Sequence, residues 1–173
     1  MKTAIVIIDI QNVMFLKDYA AHNDANVLRK IKIIEQTAID KNIPLIYIQH
    51  DGGPNSWEEK GTPNWQLHPD LQVKGPVIEK TALSAFESSN LDDVLKQKGI
   101  TDIVICGMQS DHCINANSRG AKTLGYGVTL IGDAHSTTKS ETQTAEQIID
   151  DINKNLSTVV NVTSLEQWLG TVK

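Results

Sequence analysis

Residues 100–120, ITDIVICGMQSDHCINANSRG, join an apolar run, a glycine-led turn and a cysteine at the start of a helix. The run from Ile103 to Cys106 is short and β-branched, as suits a strand covered on both faces. Gly107 is expected to break it. Ser110 and Asp111 are N-cap candidates, and Ile114, Ala116, Ala121 and Leu124 recur at helical spacing before Gly125. Cys113 therefore falls in the first turn of a helix, where free N–H groups and the helix dipole favour a thiolate. A strand-turn-helix also carries such a residue to the carboxyl edge of a sheet, where open α/β folds bind ligands. A buried, inert cysteine is the alternative, and it suits Cys106 better, because that residue ends an apolar run.

Outward from this stretch, the composition sets bounds. A chain of 173 residues is the size of one domain, expected to span 1–173. Hydrophobic residues at 40% and charged residues at 21% are ordinary globular usage. A net charge of -5 without a basic run argues against nucleic acid as a partner and leaves small molecules. MKTAIVIIDIQN reads as a first strand rather than a signal peptide, because Asp9 interrupts the apolar run. No apolar stretch reaches the roughly 20 residues that span a bilayer, so no membrane partner is expected. Cys106 and Cys113 give neither a disulfide framework nor a CxxC metal pair, which points to a reducing cytoplasm.

Along the chain, residues 3–8 (TAIVII) form strand one, ending at Asp9. Asn23 and Asp24 can cap a helix through Val27, Leu28, Ile31, Ile34 and Ala38 to about Asn42, and Pro44 forbids its continuation. LIYI at 45–48 is strand two, ending at Gln49, His50 and Asp51. Residues 52–74 hold GGP, GTP and two tryptophans with little periodicity, which predicts a long functional loop over the carboxyl edge. Val77–Glu79 is strand three with Lys80 at its end, and Ser88 or Ser89 caps a helix through Leu91, Val94 and Leu95 to Gly99. After strand four come strand five at 127–131 (GVTLI), a helix from about Ser140 to Asn155, strand six at 158–161 and a final helical turn from Ser164. This alternation predicts an α/β fold: a doubly wound, Rossmann-like, six-stranded parallel sheet with helices on both faces.

In such a sheet the strands' carboxyl ends share one edge, so Asp9, Lys80 and the Cys113 loop can converge. A cysteine nucleophile needs a base to take its proton and a positive charge to hold the sulfur anion, and a carboxylate and an ammonium supply these. An aspartate at a strand end often serves only a turn, and a lone lysine is usually a solvated charge. Their joint placement at three strand ends is harder to dismiss.

The chain resembles the isochorismatase-like cysteine hydrolases, a superfamily that includes nicotinamidases, carbamoylsarcosine amidases and isochorismatases. The resemblance rests on AIVIIDIQN around Asp9, VIEKTALSAF around Lys80, GITDIVICGMQSDHCINANSRGA around Cys113, and LGYGVTLIGDAHS downstream. It implies an Asp9, Lys80, Cys113 triad that hydrolyses a small amide or related C–N bond through a thioester. It also implies a cis Met108–Gln109 peptide, an oxyanion hole formed by the N–H groups of Gln109 and Cys113, and a homodimer or homotetramer. Met14, Phe15, His50, Trp65 and His112 are candidates for the substrate pocket, and Trp57 for a pocket wall or subunit contact. Ser84, Phe86, Asn117 and Arg119 are expected to be structural or interface residues. No cofactor is expected, and no metal, because His50, Asp51 and His68 break the Asp-x-His spacing by which nicotinamidases bind one. The rival readings are a vinyl-ether hydrolase, which does not use a cysteine nucleophile, and a thiol redox or nucleotide-binding domain. IIDIQNVMF lacks the G-x-G-x-x-G turn that nucleotide binding calls for.

Overall fold

The computed structural model describes residues 2–172; the two terminal residues of the expected 1–173 domain lie outside them. Six parallel strands form one sheet: β1 (Thr3–Ile8), β2 (Leu45–His50), β3 (Val77–Lys80), β4 (Asp102–Met108), β5 (Gly127–Ser136) and β6 (Asn161–Thr163). Their order is β3-β2-β1-β4-β5-β6, so the strands wind outward both ways from the β1/β4 pair. Between β1 and β4 lies the switch point where such sheets bind ligands. β1 and β3 are not neighbours, since β2 lies between them.

Helix α1 (Asp24–Asp40) and helix α6 (Leu165–Thr171) cover one face. Their Ile31, Ile34, Leu165 and Trp168 belong to the same core cluster as Ile5 and Ile7 of β1. Helices α2 (Ala85–Ser88), α3 (Leu91–Gln97), α4 (Asn115–Thr123) and α5 (Ala145–Leu156) cover the other. There Leu91, Leu95, Ala121 and Leu156 share a core cluster with Ala4, Val6 and Ile8. Alternate residues of one strand thus feed two cores, which is why β1 reads as an unbroken apolar run.

Several boundaries differ from expectation. Gly107 does not end β4; it lies inside the strand with φ +130, beside a register shift against β5. A Cβ there would stand 2.0 Å from the Ile8 carbonyl oxygen, so the close approach of β1 and β4 requires glycine. The chain then enters a π-helical turn, Ser110–Ile114, that continues into α4. Neither Ser110 nor Asp111 caps it. The Ser110 hydroxyl is 2.7 Å from His135 Nδ1, and Asp111 accepts from the Thr137 hydroxyl. Asn23 occupies the N-cap of α1 in a left-handed conformation without a side-chain bond. β5 runs on through Gly132 to Ser136, and β6 forms at 161–163 instead of 158–161, because Val159 and Val160 close a turn onto the Leu156 carbonyl. α5 starts at Ala145 under a Thr144–Gln147 capping box. The short α2, capped by Ser84, is an addition to the expected elements.

Residues 52–74 form the predicted loop. It is strapped to the chain after β1 by Asn12 N–H to Gln66 O, Val13 N–H to Asn64 O and His68 N–H to Ile10 O. At its far end, Glu35 of α1 accepts from the Gln72 and Val73 N–H groups and from the Tyr47 hydroxyl.

Candidate active site

Asp9 leaves β1 with φ 50, a left-handed conformation that aspartate tolerates better than most residues and that turns its carboxylate off the strand's alternation. Lys80 ends β3, and its side chain is wholly buried. Cys113 sits in the π-helical turn after β4, also buried. These three meet. Lys80 Nζ lies 2.9 Å from Asp9 Oδ2 and 3.2 Å from Cys113 Sγ. The thiol also lies against the Asp9 carboxylate, closely enough for each to alter the other's proton affinity.

Burial dominates the electrostatics. It pushes the Cys113 thiol up to about 12; the Asp9 charge adds to the shift, and Lys80 opposes it. Burial likewise raises the Asp9 carboxyl above its ordinary value, against the pull of Lys80. Lys80 itself is held upward, because Asp9 and Cys113 outweigh its own desolvation. The resting centre is therefore a neutral thiol beside a carboxylate of enhanced basicity and a firm ammonium. The helix-terminus argument for a resting thiolate is overruled by desolvation.

His50, at the end of β2, stands between the other strand ends, with Nδ1 3.1 Å from Lys80 Nζ. Its backbone is fixed by Gln11, which accepts from His50 N–H at 2.8 Å and donates to its carbonyl at 3.0 Å. Gln11 and Gln49 also donate to the Trp65 carbonyl, so Trp65 is tied beside this strand end, with its indole N–H buried and unpartnered. The Met108–Gln109 peptide is cis. The Gln109 side chain is buried, and its Nε2 completes no aligned hydrogen bond although it lies beside the Tyr19 hydroxyl. Tyr19 stacks on Trp57 at 6.1 Å between ring centroids, which gives this side an aromatic wall.

Met14 is buried in the same core cluster as residues of α1 and α6, and the His112 side chain, next to Cys113, is 56% exposed beside Asp111. Phe15 lies against the His68 ring, with centroids 4.5 Å apart. His68 Nδ1 accepts from the Asp70 N–H, and among the described residues no group of three or more His, Cys, Asp or Glu is arranged to hold a metal. Cys106 is fully buried in the core, and burial raises its thiol far above the usual range.

Sequence reasoning missed the partnership of His50 with Lys80, the Tyr19–Trp57 wall, and the role of Asn117. Buried Asn117 donates to the Cys113 and Leu83 carbonyls and accepts from Ala85 N–H, which locks the helix that follows Cys113 to α2. The helical spacing from Cys113 to Asn117 was the available signal, one turn apart on the same face.

The sequence profile of the Isochorismatase domain matches residues 3–166. The chain is 33% identical over 138 residues to streptothricin hydrolase of Streptomyces noursei, covering 78% of this chain and 54% of that protein. It spans about half the length of the two such hydrolases it matches. It is 26% identical over 170 residues to ureidoacrylate amidohydrolase of Caulobacter segnis, covering 76% of this chain and 71% of that one. Its fold superposes on N-carbamoylsarcosine amidase from Thermoplasma acidophilum with a TM-score of 0.82 and 21% identity, covering 95% and 97% of the two chains. With the profile matching nearly its whole length, the chain belongs to the isochorismatase family.

Proposed function

We propose that this protein is a cysteine hydrolase that cleaves a small amide, or a related C–N bond, through a thioester. The observation that carries the reading is a buried Lys80 ammonium within 2.9 Å of Asp9 and 3.2 Å of Cys113, since an ion pair costs too much to bury without use. The names of two similar proteins, an amidohydrolase and an amidase, agree with C–N chemistry.

Asp9 takes the Cys113 proton as the sulfur attacks the carbonyl carbon, and the C=O pair moves onto oxygen. The N–H groups of Gln109 and Cys113 receive that oxyanion. Asp9 then returns the proton to the nitrogen as the C–N bond breaks, which releases ammonia or an amine and leaves a thioester. Water, deprotonated by Asp9, attacks the thioester; the acid product leaves and Cys113 regains its proton. Lys80 keeps its charge throughout and steadies the sulfur anion. The reaction needs no organic cofactor.

Screening primary amides for ammonia release tests this reading. The Cys113→Ala protein is expected to fall to the buffer blank on any amide that the parent hydrolyses, and an undiminished rate in that variant would sink the proposal. The homodimer or homotetramer implied by the resemblance is part of the same proposal, and sedimentation measures it directly.

A further inference from the structure

An ammonium has three N–H bonds, yet Lys80 has four acceptors within reach. Nζ lies 3.1 Å from His50 Nδ1, 3.1 Å from the Ala82 carbonyl oxygen and 3.2 Å from Cys113 Sγ, each in hydrogen-bonding geometry. The fourth neighbour, Asp9 Oδ2, is nearer at 2.9 Å but out of line. Both Asp9 oxygens are buried without an aligned donor. Asp9 thus feels the lysine's charge at 2.9 Å, while the better-aligned N–H bonds go to the other three acceptors. The distinction matters, because a carboxylate that accepts a charge-assisted N–H bond is stabilised in its ionised form and is a weaker base.

Lys80 remains an ammonium, and an ammonium only donates, so His50 Nδ1 presents its lone pair and the ring proton is on Nε2. Burial and Lys80 hold the ring neutral, while Asp9, Glu58 and Asp51 pull the other way. The ring is delivered by β2, which the sheet order sets between the strands carrying Asp9 and Lys80.

We propose that His50 is a positioning residue acting through Lys80: its Nδ1 takes the N–H that would otherwise turn to Asp9, leaving that carboxylate free to receive the Cys113 proton. The inference rests on the triad proposed above, but its test needs no substrate. The readout is the pH dependence of Cys113 alkylation by iodoacetamide, followed by mass spectrometry, with circular dichroism to verify folding. His50→Ala is expected to slow alkylation at neutral pH about tenfold, moving the profile upward by about one pH unit. His50→Asn places an amide oxygen where Nδ1 stood and restores most of the rate. His50→Gln places its oxygen where Nε2 stood and does not. A folded H50A protein with the parent's profile overturns the proposal, as does H50Q rescuing as well as H50N; if H50A fails to fold, the H50N and H50Q comparison decides alone. The shift in a chain that hydrolyses no amide would sink only the amidase reading. An active amidase without the shift would sink only the role of His50.

Discussion

Cys113 is a thiol at rest because its burial outweighs both the helix terminus and the lysine, with its proton affinity pushed up to about 12. In the proposed mechanism reactivity comes from proton transfer to Asp9 during attack, and the raised affinity of Asp9 brings donor and acceptor closer together. Asp9→Asn, which cannot take the proton, is expected to lower turnover about 10²- to 10⁴-fold, the usual range for a lost general base. Assays of kcat/KM on any amide found by the screen measure it; a loss under tenfold would remove Asp9 from that role. The sign of the pH dependence follows. As the proposed base Asp9 works only unprotonated, and its folded value lies above the ordinary 3.8, so activity is expected to be lost as pH falls while ordinary carboxylates are still ionised. The residue types of this centre were legible in the sequence. Its protonation state was not, since desolvation depends on neighbours far apart in the chain.

The π-helical turn that carries Cys113 is held at its start by a relay from across the sheet. Asn153 of α5 donates to the Gly132 carbonyl, which turns its amide oxygen toward His135 Nε2 at 2.9 Å. Nε2 therefore carries the proton, and Nδ1 accepts from the Ser110 hydroxyl at 2.7 Å. His135 is almost fully buried, and burial lowers its proton affinity below the usual 6.5. Above pH 6.5 the ring is neutral in both folded and unfolded chains. As pH falls below 6.5 the unfolded chain takes up a proton that the folded chain refuses, so folding stability declines until the lowered folded value is reached. His135→Gln removes this contribution, and its urea-unfolding free energy is expected to fall less steeply below pH 6.5 than the parent's; an equal slope contradicts the linkage. His50 and His68 are shifted the same way, so a residual slope remains. Strand interiors were legible because two-sided burial leaves apolar runs such as TAIVII and LIYI. Strand ends were not: β5 continues through Asp133 and His135 because their polar groups find distant partners in Leu165 N–H, Ser110 and Asn153. Ser110 and Asp111 look like caps for the same reason, although their hydroxyl and carboxylate are engaged by β5 and the residue after it.

At the scale of the molecule, the sheet order decides which side chains meet. The alternation of elements announces a parallel sheet, but the winding that puts β2 between β1 and β3 brings together residues from four segments that no local pattern relates. The sequence thus exposes Asp9, Lys80 and Cys113 as separate strand-end residues and hides His50 as the group between two of them. The same long-range logic governs the 52–74 loop, which has no regular elements to hold it. Its far end is tied to two buried side chains, Glu35 and Tyr47, whose hydroxyl also accepts from the Lys74 N–H. Glu35 Oε1 accepts from the Tyr47 hydroxyl at 2.5 Å, from Gln72 N–H at 2.9 Å and from Val73 N–H at 3.2 Å, which ties α1, β2 and the loop together. Glu35→Ala leaves the buried Tyr47 hydroxyl without its acceptor, at a cost of roughly 1 to 3 kcal/mol, and frees the Gln72 and Val73 N–H groups to turn to water. Glu35→Gln keeps one oxygen but turns an NH₂ group against donors, so an intermediate loss is expected. Urea unfolding measures both, and limited proteolysis reads the local effect: cleavage within 52–74 should appear earlier in E35A than global unfolding accounts for. An unchanged unfolding midpoint in E35A would mean that the loop's other bonds, to Ile10, Gln11, Asn12, Val13, Gln49 and Tyr47, hold it without the Glu35 tie.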